Sequence, residues 1–276
     1  MTKEINTSEV FPPVEIARKV ERLGVAKAHA DSLSLLVLGI LAGAFISLGA
    51  LFFIVVVTDS SLGFGLTRLI GGLSFSLGLI LVVIAGAELF TGNNLIAMAW
   101  ASGLIGIREV MRNWGIVYVG NVLGCFGTVL LVLWCDIGGL AGGAVGEMAI
   151  TIAVAKVDLS LLAAFARGIL CNAFVCLAVW LAIGARSAAD KVLVIIFPIT
   201  AFVAIGLEHS IANWFFLPLG YFLDVQGGVS IIDAIVMNLV VTAGNILGGT
   251  VLVAGIYWLA YLRNERKDST DDALDL

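Results

Sequence analysis

The sequence is short of charge, histidine and proline, and each shortage excludes something. Only 13% of its 276 residues are charged and 61% are apolar, whereas a soluble domain carries about 25% charged residues. The apolar surplus falls into blocks longer than the ~18 residues that mark a bilayer span. That excludes a soluble globule and predicts a single polytopic membrane domain. Fifteen basic residues against twenty acidic ones give no basic face for nucleic acid. Four cysteines, Cys125, Cys135, Cys171 and Cys176, lie in or at the ends of apolar blocks and show no CxxC or Cys/His spacing. They read as small buried hydrophobes, with no disulfide and no metal expected. The four prolines, Pro12, Pro13, Pro198 and Pro218, form no Asn-Pro-Ala motif, which counts against a neutral-solute channel of the aquaporin type. No nucleophile–base pair with a third orienting group is present, so neither an enzyme nor a cofactor is expected.

Six apolar spans are expected, at about residues 33–57, 69–100, 114–135, 159–185, 192–222 and 234–262. An even number places both termini on one side. Of the fifteen basic residues, only Arg68, Lys156 and Arg167 fall on the other side. Because positive loops stay in the cytoplasm, both termini are expected there. Some thirty polar residues precede the first span, too many for a cleavable signal peptide. The chain thus divides into an N-terminal tail (1–31), a six-span channel domain (32–263) and a polar tail (264–276) expected to be disordered. Within the first, residues 13–30 predict an amphipathic helix on Ile16, Val20 and Leu23, read as a surface helix or a gate beneath the pore.

Two spans carry polar residues at membrane depth. "ELFTGN" begins at Glu88 and "EHSIAN" at Glu208, 120 residues later. "GNVLG" at Gly120 and "GNILG" at Gly244 are separated by 124. Two motifs repeating in the same order at similar offsets argue for two units of three spans each. A unit with an odd number of spans inverts on duplication. The expected fold is therefore all-α: two inverted three-helix repeats, with spans 2 and 5 broken at their polar inserts. Broken-helix N-termini facing one another near the midplane offer N–H groups and partial positive charge, a place for an anion. His209 is the only histidine inside a span, and Thr91 sits in the opposite break. A hydroxyl and an imidazole can both donate to an oxyanion. Glu88, Glu208, Asn93 and Asn213 read as structural, tying down backbone freed at the breaks. Asn121 and Asn245 read as bonds between closely packed helices. Lys156 reads either as a solvated loop charge or as an attractor of anions at the outer mouth.

"AGAELFTGNN", "RGILCNAFVCLAVW", "EHSIANWFFLPLG" and "GNILGG" resemble, in order, the signature segments of the formate/nitrite transporter family. The similarity runs over about residues 10 to 264. The resemblance implies a homopentamer in the bacterial inner membrane, surrounded by lipid, each protomer an aquaporin-like six-helix bundle with its own pore. It implies that Thr91 and His209 are the central polar pair, with Asn172 and Asn213 hydrogen-bonding near them. Phe75, Phe202 and Val175 would form an outer apolar constriction, and Leu79, Leu89 and Phe90 an inner one. Lys156 falls where the family can carry a vestibule lysine, in a stretch that otherwise matches poorly. The implied substrate is formate, with nitrite and hydrosulfide as alternatives, moved by a channel or with a proton. The resemblance also gives the N-terminal helix a role in gating by pH.

Overall fold

A computed structural model describes residues 10–264, which contain helices and no strand. The rest of the expected C-terminal tail, residues 265–276, lies outside the described residues, as do residues 1–9. The amphipathic segment forms α1, Pro13–Ala28, with proline in its first turn. Its buried side is Ile16, Ala17, Val20, Gly24 and Ala28, while Leu23 is exposed. Gly24 lets α1 close onto Ile96 and Ala99.

The bundle proper begins with α2, Ser32–Val57, whose N-terminus is capped by the Asp31 carboxylate accepting from Ser34 N–H. It continues through α3 (Gly63–Ala85), α4 (Ala97–Ala101), α5 (Ile107–Trp134), α6 (Ala144–Val157) and α7 (Leu161–Gly184). Then come α8 (Ala188–Ile205), α9 (Ser210–Leu223), α10 (Ile231–Leu247) and α11 (Ile256–Tyr261). A wider π-helical segment, Gly248–Gly255, joins the last two.

Among the described residues, seven helical stretches are long and apolar enough to cross a membrane, by length and composition. The one beyond the expected spans is Ile137–Val157, a region taken from sequence as a connection. It is interrupted at Leu140–Gly142, where Ala141 and Gly142 have positive φ. Its regular part, α6, has 14 residues, a length of ~21 Å at 1.5 Å per residue, short of a ~30 Å hydrocarbon core.

The bundle is apolar outside and polar within. Leu73, Leu77, Leu131, Phe197, Leu239 and Val251 are exposed, while Asn93, Asn121, Asn172, Glu208 and Asn245 are buried. Water would penalise that arrangement and lipid favours it. Glycine sets how closely the helices approach. A Cβ on Gly124 of α5 would collide with the Ile40 carbonyl of α2, and one on Gly248 with the Ile169 carbonyl of α7. Three of the four cysteines are buried, as expected, but Cys135 is exposed just beyond the end of α5.

Candidate functional site

Two helix breaks build the site. α3 stops at Ala85 because Gly86 takes φ +82°, and α8 stops at Ile205 because Gly206 takes φ +85°. Both are left-handed conformations that glycine reaches without strain. The chain re-enters helix at Gly92, as a 3-10 turn, and at Ser210, as α9. Between those points the backbone needs partners.

Asn121 and Asn245 supply them, each in the same way. The Asn121 amide accepts from Phe90 N–H (2.9 Å) and donates to the carbonyls of Gly39 (2.8 Å) and Glu88 (2.9 Å). The Asn245 amide accepts from Ser210 N–H (2.9 Å) and donates to the carbonyls of Gly168 (2.8 Å) and Glu208 (3.0 Å). Sequence assigned these asparagines to helix–helix bonding. Each does join neighbouring helices, and each also staples a break.

The glutamates do something else. Glu88 accepts from the Lys27 ammonium at 2.7 and 2.8 Å and from Asn93 Nδ2 at 2.7 Å. Glu208 accepts from Lys156 at 2.9 and 3.0 Å and from Asn213 Nδ2 at 2.9 Å. Freed backbone N–H groups are not what these carboxylates hold. Lys156 lies in the last turn of α6 and is largely buried against Glu208; it is not a solvated loop charge. Lys27 was not singled out from sequence. It reaches Glu88 because α1 folds back under the bundle, and it also donates to Asn93 Oδ1 at 3.0 Å. Asn93 is held further by Asn113, and its carbonyl accepts from the Trp114 indole N–H.

His209 and Thr91 meet between the two breaks, with Nε2 and Oγ1 3.0 Å apart and both residues buried. His209 is also the N-cap of α9, where its Nδ1 accepts from Ala212 N–H at 3.0 Å. These partners assign the proton of the neutral ring to Nε2. Thr91 Oγ1 then accepts from His209, and its own hydroxyl proton is left to donate elsewhere. Asn172 stands behind Thr91. Its Nδ2 reaches the Thr91 carbonyl (3.2 Å), Asn94 Oδ1 (2.7 Å) and the Asn245 carbonyl (2.7 Å). The bond to the Asn245 carbonyl intrudes on the hydrogen-bond ladder where α10 widens into its π-helical segment.

One cavity reaches His209, and a second lies at the other break, against Leu89, Gly92 and Asn93. The first, of about 180 Å³, is lined by Phe75, Phe202, His209, Asn213 and Lys156. The Phe75 and Phe202 rings meet edge to face at 5.7 Å, and Phe202 stacks over His209 at 6.1 Å. Arg68 and Arg167, neither expected at the site, also line this cavity and bond to the carbonyls of Val203, Ala204 and Gly206. Three cations thus face one carboxylate, Glu208. The second cavity, of about 350 Å³, lies on the α1 side and is lined by Leu79, Leu89, Glu88, Lys27 and Asn93. Phe90 and Val175 line neither cavity. The Phe90 ring packs edge to face on Tyr118 and Trp114, and Val175 is buried in the core. No group of three potential metal ligands occurs among the described residues.

A family model described as formate/nitrite transporter matches residues 14–259. The formate channel FocA of Escherichia coli strain K12 is 39% identical, covering 95% of this chain and 98% of the relative. The uncharacterized transporter YrhG of Bacillus subtilis strain 168 is 44% identical over 92% of this chain and 95% of its own. Among solved structures, a pentameric formate channel with formate bound is 42% identical, with a TM-score of 0.79 over 84% of this chain and 98% of its own. An FNT family ion channel matches with a TM-score of 0.82 at 29% identity, over 89% of this chain. A transporter rather than an enzyme family, embedded in a membrane, accounts for the apolar exterior and the polar interior alike: the chain belongs to the formate/nitrite transporter family.

Proposed function

We propose that the protein passes formate across the bacterial inner membrane, by a channel or proton-coupled route running between the two cavities through His209 and Thr91. The observation that carries this reading is the buried His209–Thr91 contact, beside a cavity lined by Phe75, Phe202 and three cations. An anion crossing Phe75 and Phe202 sheds water at a large cost. Thr91 O–H is the donor that offsets it, joined by His209 Nε2–H once that bond turns from Thr91 Oγ1 to the anion. Coupling to a proton would use the ring's other nitrogen: Nδ1 must release Ala212 N–H to take up a proton. A ring charged by a proton from water passes its Nε2 proton to a formate oxygen; neutral formic acid leaves and the ring is neutral again, with its proton on Nδ1. Lys156, Arg68 and Arg167 gather anions at the outer mouth.

The same reading takes the spans as six: α2, α3 with α4, α5, α7, α8 with α9, and α10 with α11. Matched bonding of Asn121 and Asn245, and of Lys27–Glu88 and Lys156–Glu208, supports two inverted units. Both termini are cytoplasmic in this orientation, and the protomers assemble as a pentamer in lipid. Nitrite and hydrosulfide are the alternative cargoes, since each is a small weak-acid anion that the same donors would serve.

Purified protein in proteoliposomes, given formate, nitrite and hydrosulfide from acidic to neutral pH, tests this. Formate flux well above that of empty liposomes is expected. Permeation of water or glycerol without any anion flux would overturn the reading. Crosslinking in native membranes should give a ladder ending at five copies; one ending earlier would contradict the pentamer.

A further inference from the structure

Beside the cavity of Leu79 and Leu89 lies a wider one of about 480 Å³. The two share Leu23, Val83, Val179 and Ile183 on their walls, so only these apolar side chains stand between them. The charged lining of the wider cavity is entirely cationic among the described residues: Lys19 and Arg22 from α1, and Lys191 from α8. Arg186 stands next to it, over the Phe11 ring at 4.0 Å, with Lys19 Nζ 2.8 Å from the centre of the same ring. Two carboxylates lie close by. Glu15 acts on Lys19, and Asp190 is engaged as a cap, accepting from Ser187 N–H. Among the described residues, the three lining cations outnumber these two carboxylates. Burial, then Arg186, Arg22 and Lys191, hold the Lys19 ammonium below its usual range despite Glu15. Lys191 also sits in the first turn of α8, where a cation opposes the helix dipole.

We infer that this cavity is an anion-gathering portal on the α1 face, a lateral mouth between α1 and the near ends of α3, α7 and α8. Small monovalent anions concentrate at Lys19, Arg22 and Lys191, then pass Leu23 and Val179 into the chamber of Leu79 and Leu89. α1 forms one wall of the mouth. Narrow clefts lined by one sign of charge focus field lines and raise the local concentration of the opposite ion. The effect fades when salt shortens the Debye length from ~30 Å at 0.01 M to ~3 Å at 1 M.

The inference rests on the proposed anion transport, and its test separates the two. Full-length protein carrying an N-terminal biotin is inserted in planar bilayers, with orientation read from the chamber whose streptavidin captures the tag. Formate current is recorded with formate in either chamber, at low and high ionic strength. For K19Q/R22Q/K191Q, current carried by formate from the α1 side should fall several-fold at low salt. Current from the opposite side should change much less, and the difference should close at 1 M salt. K19R/R22K/K191R should behave as wild type, which separates charge from damage to the fold. Equal salt dependence in wild type and the neutralised variant, or an equal loss from both sides, would overturn the portal. A wild-type protein that passes no formate, neither as current nor as isotope-labelled formate in the same membranes, would instead overturn the transport reading itself.

Discussion

Asn121 and Asn245 each satisfy one backbone N–H and two carbonyls at a place where a helix stops. Alanine at either position leaves a buried N–H unpartnered, at a cost of about 1–3 kcal/mol. Asn121→Ala and Asn245→Ala should therefore lower thermal stability in detergent by similar amounts; no change in either would contradict the stapling role. A different residue-scale expectation concerns Lys156 and Glu208. Removing one partner of a buried ion pair costs about 3–5 kcal/mol, because the other charge stays buried and unpaired. Lys156→Met should then destabilise more than Lys156→Met combined with Glu208→Gln. If the double variant is the less stable of the two, the pair is not coupled in this way. At this scale sequence gave away the residue types and hid the partners. Glu88 and Glu208 were legible as a duplicated pair, but their lysines come from segments with no shared motif. Lys27 lies on a surface helix, and Lys156 on a helix that composition had passed over as a connection.

At the scale of elements, the breaks could be read because Glu, Thr, Asn and His stand where lipid-facing residues should be. The glycines that end α3 and α8 stand two residues before each glutamate, at Gly86 and Gly206. α6 escaped notice for a physical reason. It is short and carries Glu147 and Lys156, and the apolar stretch that contains it is interrupted at Leu140–Gly142. Helix spacing yields its own prediction. A Cβ at Gly124 or Gly248 meets a backbone carbonyl of the facing helix, whereas one at Gly127 meets nothing within 4 Å. Gly124→Ala and Gly248→Ala should sharply reduce the yield of folded protein, and Gly127→Ala should leave it intact. Equal yields for all three would mean that the helix pairs are less tightly packed than they are drawn here.

For the whole molecule, the distribution of charge and polarity carries the functional account. An apolar shell surrounds a set of buried polar groups. The proposed route runs from Arg68, Arg167 and Lys156, past Phe202 to His209 and Thr91, then past Leu89 to Glu88 and Lys27. Motif order made the family legible in the sequence. Phe75, Phe202, Leu79 and Leu89 were named only through that resemblance, since one phenylalanine or leucine in an apolar helix looks like any other. The central claim is that the substrate meets His209. Formate flux into proteoliposomes should be compared between wild type and His209→Ala across pH, alongside nitrite and hydrosulfide. The account predicts altered formate flux, with a changed pH dependence, in a variant that still assembles. A His209→Ala protein that moves all three anions as wild type does, at every pH, would contradict it.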